Sequence, residues 1–185
     1  MNSLLPLFKA NFTTSKWQKL ESTLGKPMLK KVAEYTNSMH SMLDKKKMEQ
    51  EKTFLVLAGN DEAGKKIIVE LIAKETNKNI LKVDAKKFIQ NYIGETEKNL
   101  SRLFKEALAT NSILLFDEAD ALFGKRTKVK DSHDKYANQE VSYLLNKLPK
   151  QLPPILFIVA RKTLLHPIVL EASSYILRNV ANTKP

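Results

Sequence analysis

The chain has 185 residues, 43% hydrophobic and 28% charged, which suits one globular domain with a modest extension and a real buried core. It contains no cysteine, which excludes a disulfide framework and any thiolate metal site. A net charge of +11, mostly lysine spread along the whole chain, would suit a polyanion ligand. No arginine–aromatic interleaving or nucleic-acid motif accompanies it, so we expect a solvated basic surface and disfavour nucleic acid as a partner.

Residues 1–26 are weakly patterned and read as an irregular arm. Its apolar residues Leu4, Leu5, Phe8, Phe12 and Trp17 are expected to dock onto the rest of the protein. The stretch from Met1 to Phe12 lacks the features of a signal peptide, and no apolar run approaches the ~18 residues that span a bilayer. The expectation is a soluble, cytoplasmic protein with no membrane association. Pro27 opens a helix over about 27–50, with Met28, Val32, Tyr35 and Met39 or Met42 at helical spacing. Residues 1–50 are therefore set apart as an arm and helix, ahead of a second unit, 51–185.

From there apolar strands alternate with amphipathic helices. Strands are expected at 53–58 (TFLVLA), 79–83, 112–116 (SILLF), 155–159 (ILFIV) and 175–180. Helices are expected at 65–77, 85–89, 95–110 and 136–148. Such alternation predicts a parallel sheet with helices on both faces and ligands at the carboxyl ends of the strands.

The chemistry-bearing residues fall at those ends. After the first strand comes Gly59-Asn60-Asp61-Glu62-Ala63-Gly64-Lys65-Lys66, the G-x-x-x-x-G-K frame of a phosphate loop. Backbone N–H groups and a helix N-terminus can surround a phosphate there, and a lysine adds a point charge. After the third strand comes Phe116-Asp117-Glu118-Ala119-Asp120. An apolar strand ending in Asp-Glu supplies a carboxylate for Mg²⁺ (Asp117) and one to polarise an attacking water (Glu118).

With Tyr92-Ile93-Gly94-Glu95-Thr96 and the run Leu114–Arg126 added, the stretch from about Thr53 to about Pro167 closely resembles the AAA+ ATPases. Asp131–Asn138 is similar to a bacterial subgroup of them. The resemblance implies a P-loop NTPase fold, three-layer α/β/α, with a five-stranded parallel sheet of order 5-1-4-3-2. It implies ATP or ADP with Mg²⁺ as cofactor, ring assembly and remodelling of protein substrates. It also implies that Tyr92, Ile93 and Gly94 form a substrate-gripping pore loop, with the basic run Lys125–Lys130 as a second loop of that kind.

Departures from the family concentrate at the chemistry. Lys66 stands where a Ser or Thr hydroxyl would ligate Mg²⁺, and a lysine is a donor only. Glu62 stands where the family has glycine. Two unit charges ~6 Å apart at an effective dielectric of ~20 repel by roughly 3 kcal/mol, so Asp61-Glu62 opposes a polyphosphate. Lys66 is expected either to offset that repulsion or to pair with Glu62 and fill the site. Ala160 or Arg161 replaces a water-positioning asparagine, and Glu171-Ala172 replaces the pair of arginines that reach a neighbouring subunit. Arg178 is the nearby arginine, expected within the last strand. The family's helical lid has no counterpart before Pro185.

The expectation is therefore an AAA+-like module impaired in hydrolysis, a scaffold, regulatory or partner-binding subunit, monomeric alone or assembled by a protein partner. The alternatives are an active protein-remodelling ATPase and a basic polyanion-binding protein. No histidine spacing suits a metal: His133 lacks a second ligand, and His40 and His166 read as surface or packing residues.

Overall fold

The computed structural model describes residues 4–41, 54–91, 96–124, 153–171 and 173–178. The elements, in order, are α1 (Leu4–Ala10), α2 (Thr14–Leu24), α3 (Lys26–Ser41), β1 (Phe54–Ala58), α4 (Glu62–Glu75), β2 (Asn79–Asp84), α5 (Ala85–Asn91), α6 (Thr96–Ala109), β3 (Ser112–Asp117), α7 (Asp120–Phe123), β4 (Ile155–Val159), a 3₁₀ turn (Lys162–Leu164), α8 (Pro167–Glu171) and β5 (Ser173–Arg178). The strands form one parallel sheet of order β2-β3-β4-β1-β5. That is the expected order, 5-1-4-3-2, read from the other edge.

Period-two alternation along the strands divides the core between two faces. Leu55, Leu57, Ile113, Leu115, Leu156 and Ile158 point to one, where α3 and α4 pack. Phe54, Val56, Leu114, Phe116, Phe157 and Val159 point to the other, under α6 and α7. β1 and β4 are buried throughout, as central strands covered on both faces must be. β2, at the edge, is buried only at Val83.

Residues 4–24 depart from the expected irregular arm: they form two helices, α1 and α2. Their pattern is too short to read in isolation, because a helix of 7 or 11 residues is marginal in water and is fixed by what it packs on. Trp17 and Phe8 are buried and share the core with α3, while Phe12 and Leu5 pack at its margin, so the expected docking is present. The rings form a cluster, Phe8–Phe12 at 5.4 Å and Phe12–Trp17 at 6.1 Å, with the ammonium of Lys74 from α4 5.5 Å from the Phe12 centroid. The Trp17 indole N–H donates to Glu21 Oε2 at 2.9 Å.

Other boundaries move by a few residues. α3 starts at Lys26 and is described to Ser41. α4 starts at Glu62 rather than 65, because the Asp61 carboxylate caps it by accepting from the Gly64 amide at 2.9 Å. β5 starts at Ser173 rather than 175 and is described to Arg178, which is paired in register with Ala58. The expected helix at 136–148, the Lys125–Lys130 run, Asp131–Asn138 with His133, and Tyr92, Ile93 and Gly94 lie outside the described residues.

Candidate functional site

The carboxyl ends of β1, β3 and β4 are tied together by backbone. The Gly59 amide donates to Val159 O at 3.2 Å, and the Ala119 amide donates to Ile158 O at 3.0 Å. β4 thus holds the start of the phosphate loop and the end of the Asp-Glu segment side by side. Gly59 leaves β1 with φ 144°, a region that side chains rarely adopt, so the turn into the loop needs glycine. Glu118 has φ 51°. A left-handed conformation costs a non-glycine residue about 1–2 kcal/mol, and such strain collects at functional sites.

The cleft below these ends has a volume of about 420 Å³ and is lined by Glu62, Lys65, Asp84, Lys86, Asp117, Glu118, Asp120 and the β4 end at Ile158, Val159 and Ala160. Expected site residues Glu62, Lys65, Asp117 and Glu118 do converge here. Gly59, Asn60, Asp61, Ala63 and Gly64 form the loop and first turn of α4 beside it. Ala160 lines the cleft without a polar group, and Arg161 is exposed. Glu171 is exposed at the end of α8.

Within the loop, Lys65 rather than Lys66 is the lysine that pairs with Glu62. The Lys65 side chain is 2% exposed; its ammonium sits 2.5 Å from Glu62 Oε1 and donates to Gly59 O at 2.8 Å. Lys66 is 79% exposed and lies 4.0 Å from Glu70, because one step along a helix turns the side chain by about 100° away from the cleft. A buried ammonium requires compensating oxygens, and Glu62 with Gly59 O supplies them from the loop itself. The backbone donors are also turned inward. Glu62 N bonds Asn60 O at 3.1 Å, Lys65 N bonds Asp61 O at 3.0 Å, and Gly64 N bonds the Asp61 side chain.

Asp117 and Glu118 have lysine partners as well. Lys82 of β2 is 2.7 Å from Asp117 Oδ2, and Lys86 of α5 is 2.8 Å from Glu118 Oε2. The hydrogen bond to Asp117 holds the Lys82 ammonium above the usual lysine range, and Glu118 acts likewise on Lys86. A lysine with a raised folded pKa contributes stability that is fully present below its unfolded value and lost as pH rises through the folded one. On the lysine side, these pairs are therefore charged at neutral pH, and that contribution is lost as pH rises through the raised lysine values. Asp84 is held below the usual carboxylate range, chiefly by the Lys87 amide, which donates to it at 3.0 Å.

Asp84, Lys86 and Asp120 also line the cleft, and Lys82 pairs with Asp117, roles that the sequence alone did not single out. A signal existed for Lys82 and Asp84. β2 lies beside β3 with Asp84 opposite Asp117, and the period of two puts Lys82, Asp84 and Asp117 on one face.

The donor set can be tested against the ligands expected of such a cleft. Carboxylate oxygens from Asp117 and Glu118 are what a hard divalent cation takes. The loop fits a polyphosphate poorly as folded, since its lysine and several of its amides are bonded within the loop. Carboxylates also outnumber the ammonium groups that reach them.

A sequence family described as ATPase family associated with various cellular activities (AAA) matches residues 55–168, which spans β1 to the start of α8. The chain belongs to the AAA ATPase family. Membership implies nucleotide binding. Among relatives, a cell division cycle protein 48 homolog of Archaeoglobus fulgidus is 30% identical over 122 residues, 63% of this chain and 16% of that protein. A proteasome-activating nucleotidase of Methanothermobacter thermautotrophicus is 33% identical over 95 residues, 51% of this chain and 23% of that protein. The ATPase family gene 2 protein of Schizosaccharomyces pombe is 36% identical over 75 residues, 40% of this chain and 9% of that protein. The AAA chain thus spans less than a quarter of the length of each of these relatives.

The cap at the head of α4 gives a direct check on the loop's built-in order. Asp61→Ala in this AAA domain removes the acceptor of the Gly64 amide. It is expected to lower stability by about 1 kcal/mol, read as a lower midpoint in urea unfolding with an unchanged slope.

Proposed function

We propose that this AAA chain is impaired in ATP hydrolysis and serves as a scaffold, regulatory or partner-binding subunit. The observation that carries the reading is the Lys65 ammonium, which lines the cleft yet is already bonded to Glu62 and Gly59 O. Lys66 in the place of a metal-ligating hydroxyl, the apolar Ala160 at the water-positioning site and Glu171 at an expected arginine position support it. A protein partner is supported by relatives such as the proteasome-activating nucleotidase. Tyr92-Ile93-Gly94 is the segment we assign to gripping or docking that partner.

We place the protein in the cytoplasm, monomeric alone or assembled by its partner, with 1–50 acting as an arm to the α/β unit 51–185. No helix among the described residues is long and apolar enough to cross a membrane. The likeness to a bacterial AAA subgroup rests on Asp131–Asn138 alone, while the relatives above are archaeal and fungal.

One observation favours the alternative, an active ATPase that remodels protein. Lys65, Asp117 and Glu118 all reach one cleft, and Glu118 keeps a strained backbone. Phosphate release from ATP with Mg²⁺, compared between the wild type and Glu118→Gln, decides between them. Equal, background-level rates support the impaired reading. Turnover that Glu118→Gln abolishes supports the active one.

A further inference from the structure

Neither the phosphate-loop frame nor the Asp-Glu motif accounts for the placement of Lys82. It belongs to edge strand β2, two positions before Asp84, yet its ammonium lies 2.7 Å from Asp117 Oδ2. Asp117 Oδ1 is engaged separately, accepting from the Glu118 amide at 3.1 Å. Each oxygen of the family's cation-bearing carboxylate therefore already accepts from one of the chain's own donors, and the one on Oδ2 carries a positive charge. The register explains why the contact is built in. β2 and β3 pair over their whole length, Lys82 opposite Leu115 and Asp84 opposite Asp117, so Lys82 and Asp117 rise from the same face on adjacent strands. A long lysine stem spans that diagonal without distorting either strand.

We infer that Lys82 is a tethered competitor for the divalent cation at Asp117, an internal cation that weakens metal binding there. A dication arriving at Asp117 must displace the ammonium or sit beside it. With the ammonium bound, Asp117 offers no oxygen free of a donor. With it displaced but still tethered nearby, like-charge repulsion weakens the metal. Because Lys82 is 61% exposed, water screens the pair, and the competition is graded rather than absolute. The inference rests on reading this cleft as the AAA nucleotide site, and it deepens that reading by naming what restrains the metal.

The probe is Mn²⁺ alone, titrated against the full chain and followed by the loss of the free-ion electron paramagnetic resonance signal. No nucleotide and no turnover enter the readout. Lys82→Met, which keeps the stem and removes the charge, is expected to tighten Mn²⁺ binding by about tenfold over wild type. Adding Asp117→Asn to that variant is expected to abolish the gain. Lys26→Met, an equal change of net charge on an exposed lysine paired with Glu21 and outside the cleft lining, is expected to change affinity by no more than about twofold. Lys82→Gln provides a second neutral variant should Lys82→Met unfold.

Equal Mn²⁺ affinity in wild type and both neutral variants would overturn the inference. So would a gain that survives Asp117→Asn, or one that Lys26→Met reproduces. Failure of the impaired-hydrolysis reading would show instead as wild-type ATP turnover sensitive to Glu118→Gln, whatever the Mn²⁺ result.

Discussion

Phe157→Ala is expected to destabilise the protein by about 3–5 kcal/mol, the usual cost of emptying a buried phenylalanine site. Phe157 is fully buried at the centre of β4. Its ring lies 5.9 Å from Phe116 in a stacked arrangement, and 5.8 Å and 5.3 Å from Phe54 and Phe123, both edge-on. The cluster therefore joins β1, β3, β4 and α7, and no small shift of the backbone can refill the gap. Phe116 directly precedes Asp117 and is the register partner of Phe157, so the loss should also loosen the cleft. Urea unfolding followed by circular dichroism measures the cost. A loss under ~1 kcal/mol would show that the aromatic cluster does not hold the sheet together.

Glu62→Gly is expected to tighten ATP binding by about tenfold while making the ligand-free protein less stable. The full repulsion between a carboxylate and a phosphate at ~6 Å would be worth more, but Glu62 is 75% exposed and screening reduces it. The substitution also frees the Lys65 ammonium to face the cleft. The loss of stability has two sources. Lys65 is left buried without its carboxylate, and glycine in the first turn of α4 raises the entropy cost of the helix. A fluorescent ATP analogue in an equilibrium titration reads the affinity, and Glu70→Ala, on the exposed Lys66 side, serves as the control. An unchanged affinity in Glu62→Gly would mean that the carboxylate does not close the loop.

The sheet was legible because its strands are continuous apolar runs, such as Phe54–Ala58 and Ile155–Val159, set between amphipathic helices. A parallel sheet covered on both faces has few other sequence signatures. The order of strands came from resemblance rather than from pattern, and the structure agrees with it. Lys65, Asp117 and Glu118 were legible because phosphate and metal chemistry demands those residue types just after strands.

What escaped was of two kinds. α1 and α2 owe their helicity to packing of Phe8, Trp17 and Leu24 on α3, information that no local window contains. The ion pairs depended on direction. Glu62 is bonded by Lys65 and not Lys66, which only the helical phase from Glu62 onward decides. Lys82 and Lys86 reach the Asp-Glu pair across a strand boundary that spacing alone does not reveal.

In the reading proposed above, the phosphate loop of this AAA domain is closed on its own lysine, through the Lys65–Glu62 pair and the Lys65 bond to Gly59 O. The most direct test is the thermal unfolding midpoint of the wild type with millimolar ATP or ADP, with and without Mg²⁺. A ligand bound only by the folded state adds ~2.7 kcal/mol at a hundredfold excess over its dissociation constant, which for a chain of this size is a rise of roughly 5–10 °C. The closed loop predicts no measurable rise for wild type under any of these conditions, and a rise for Glu62→Gly. A rise of several degrees in the wild type would contradict the claim and show that Glu62 yields Lys65 to the nucleotide.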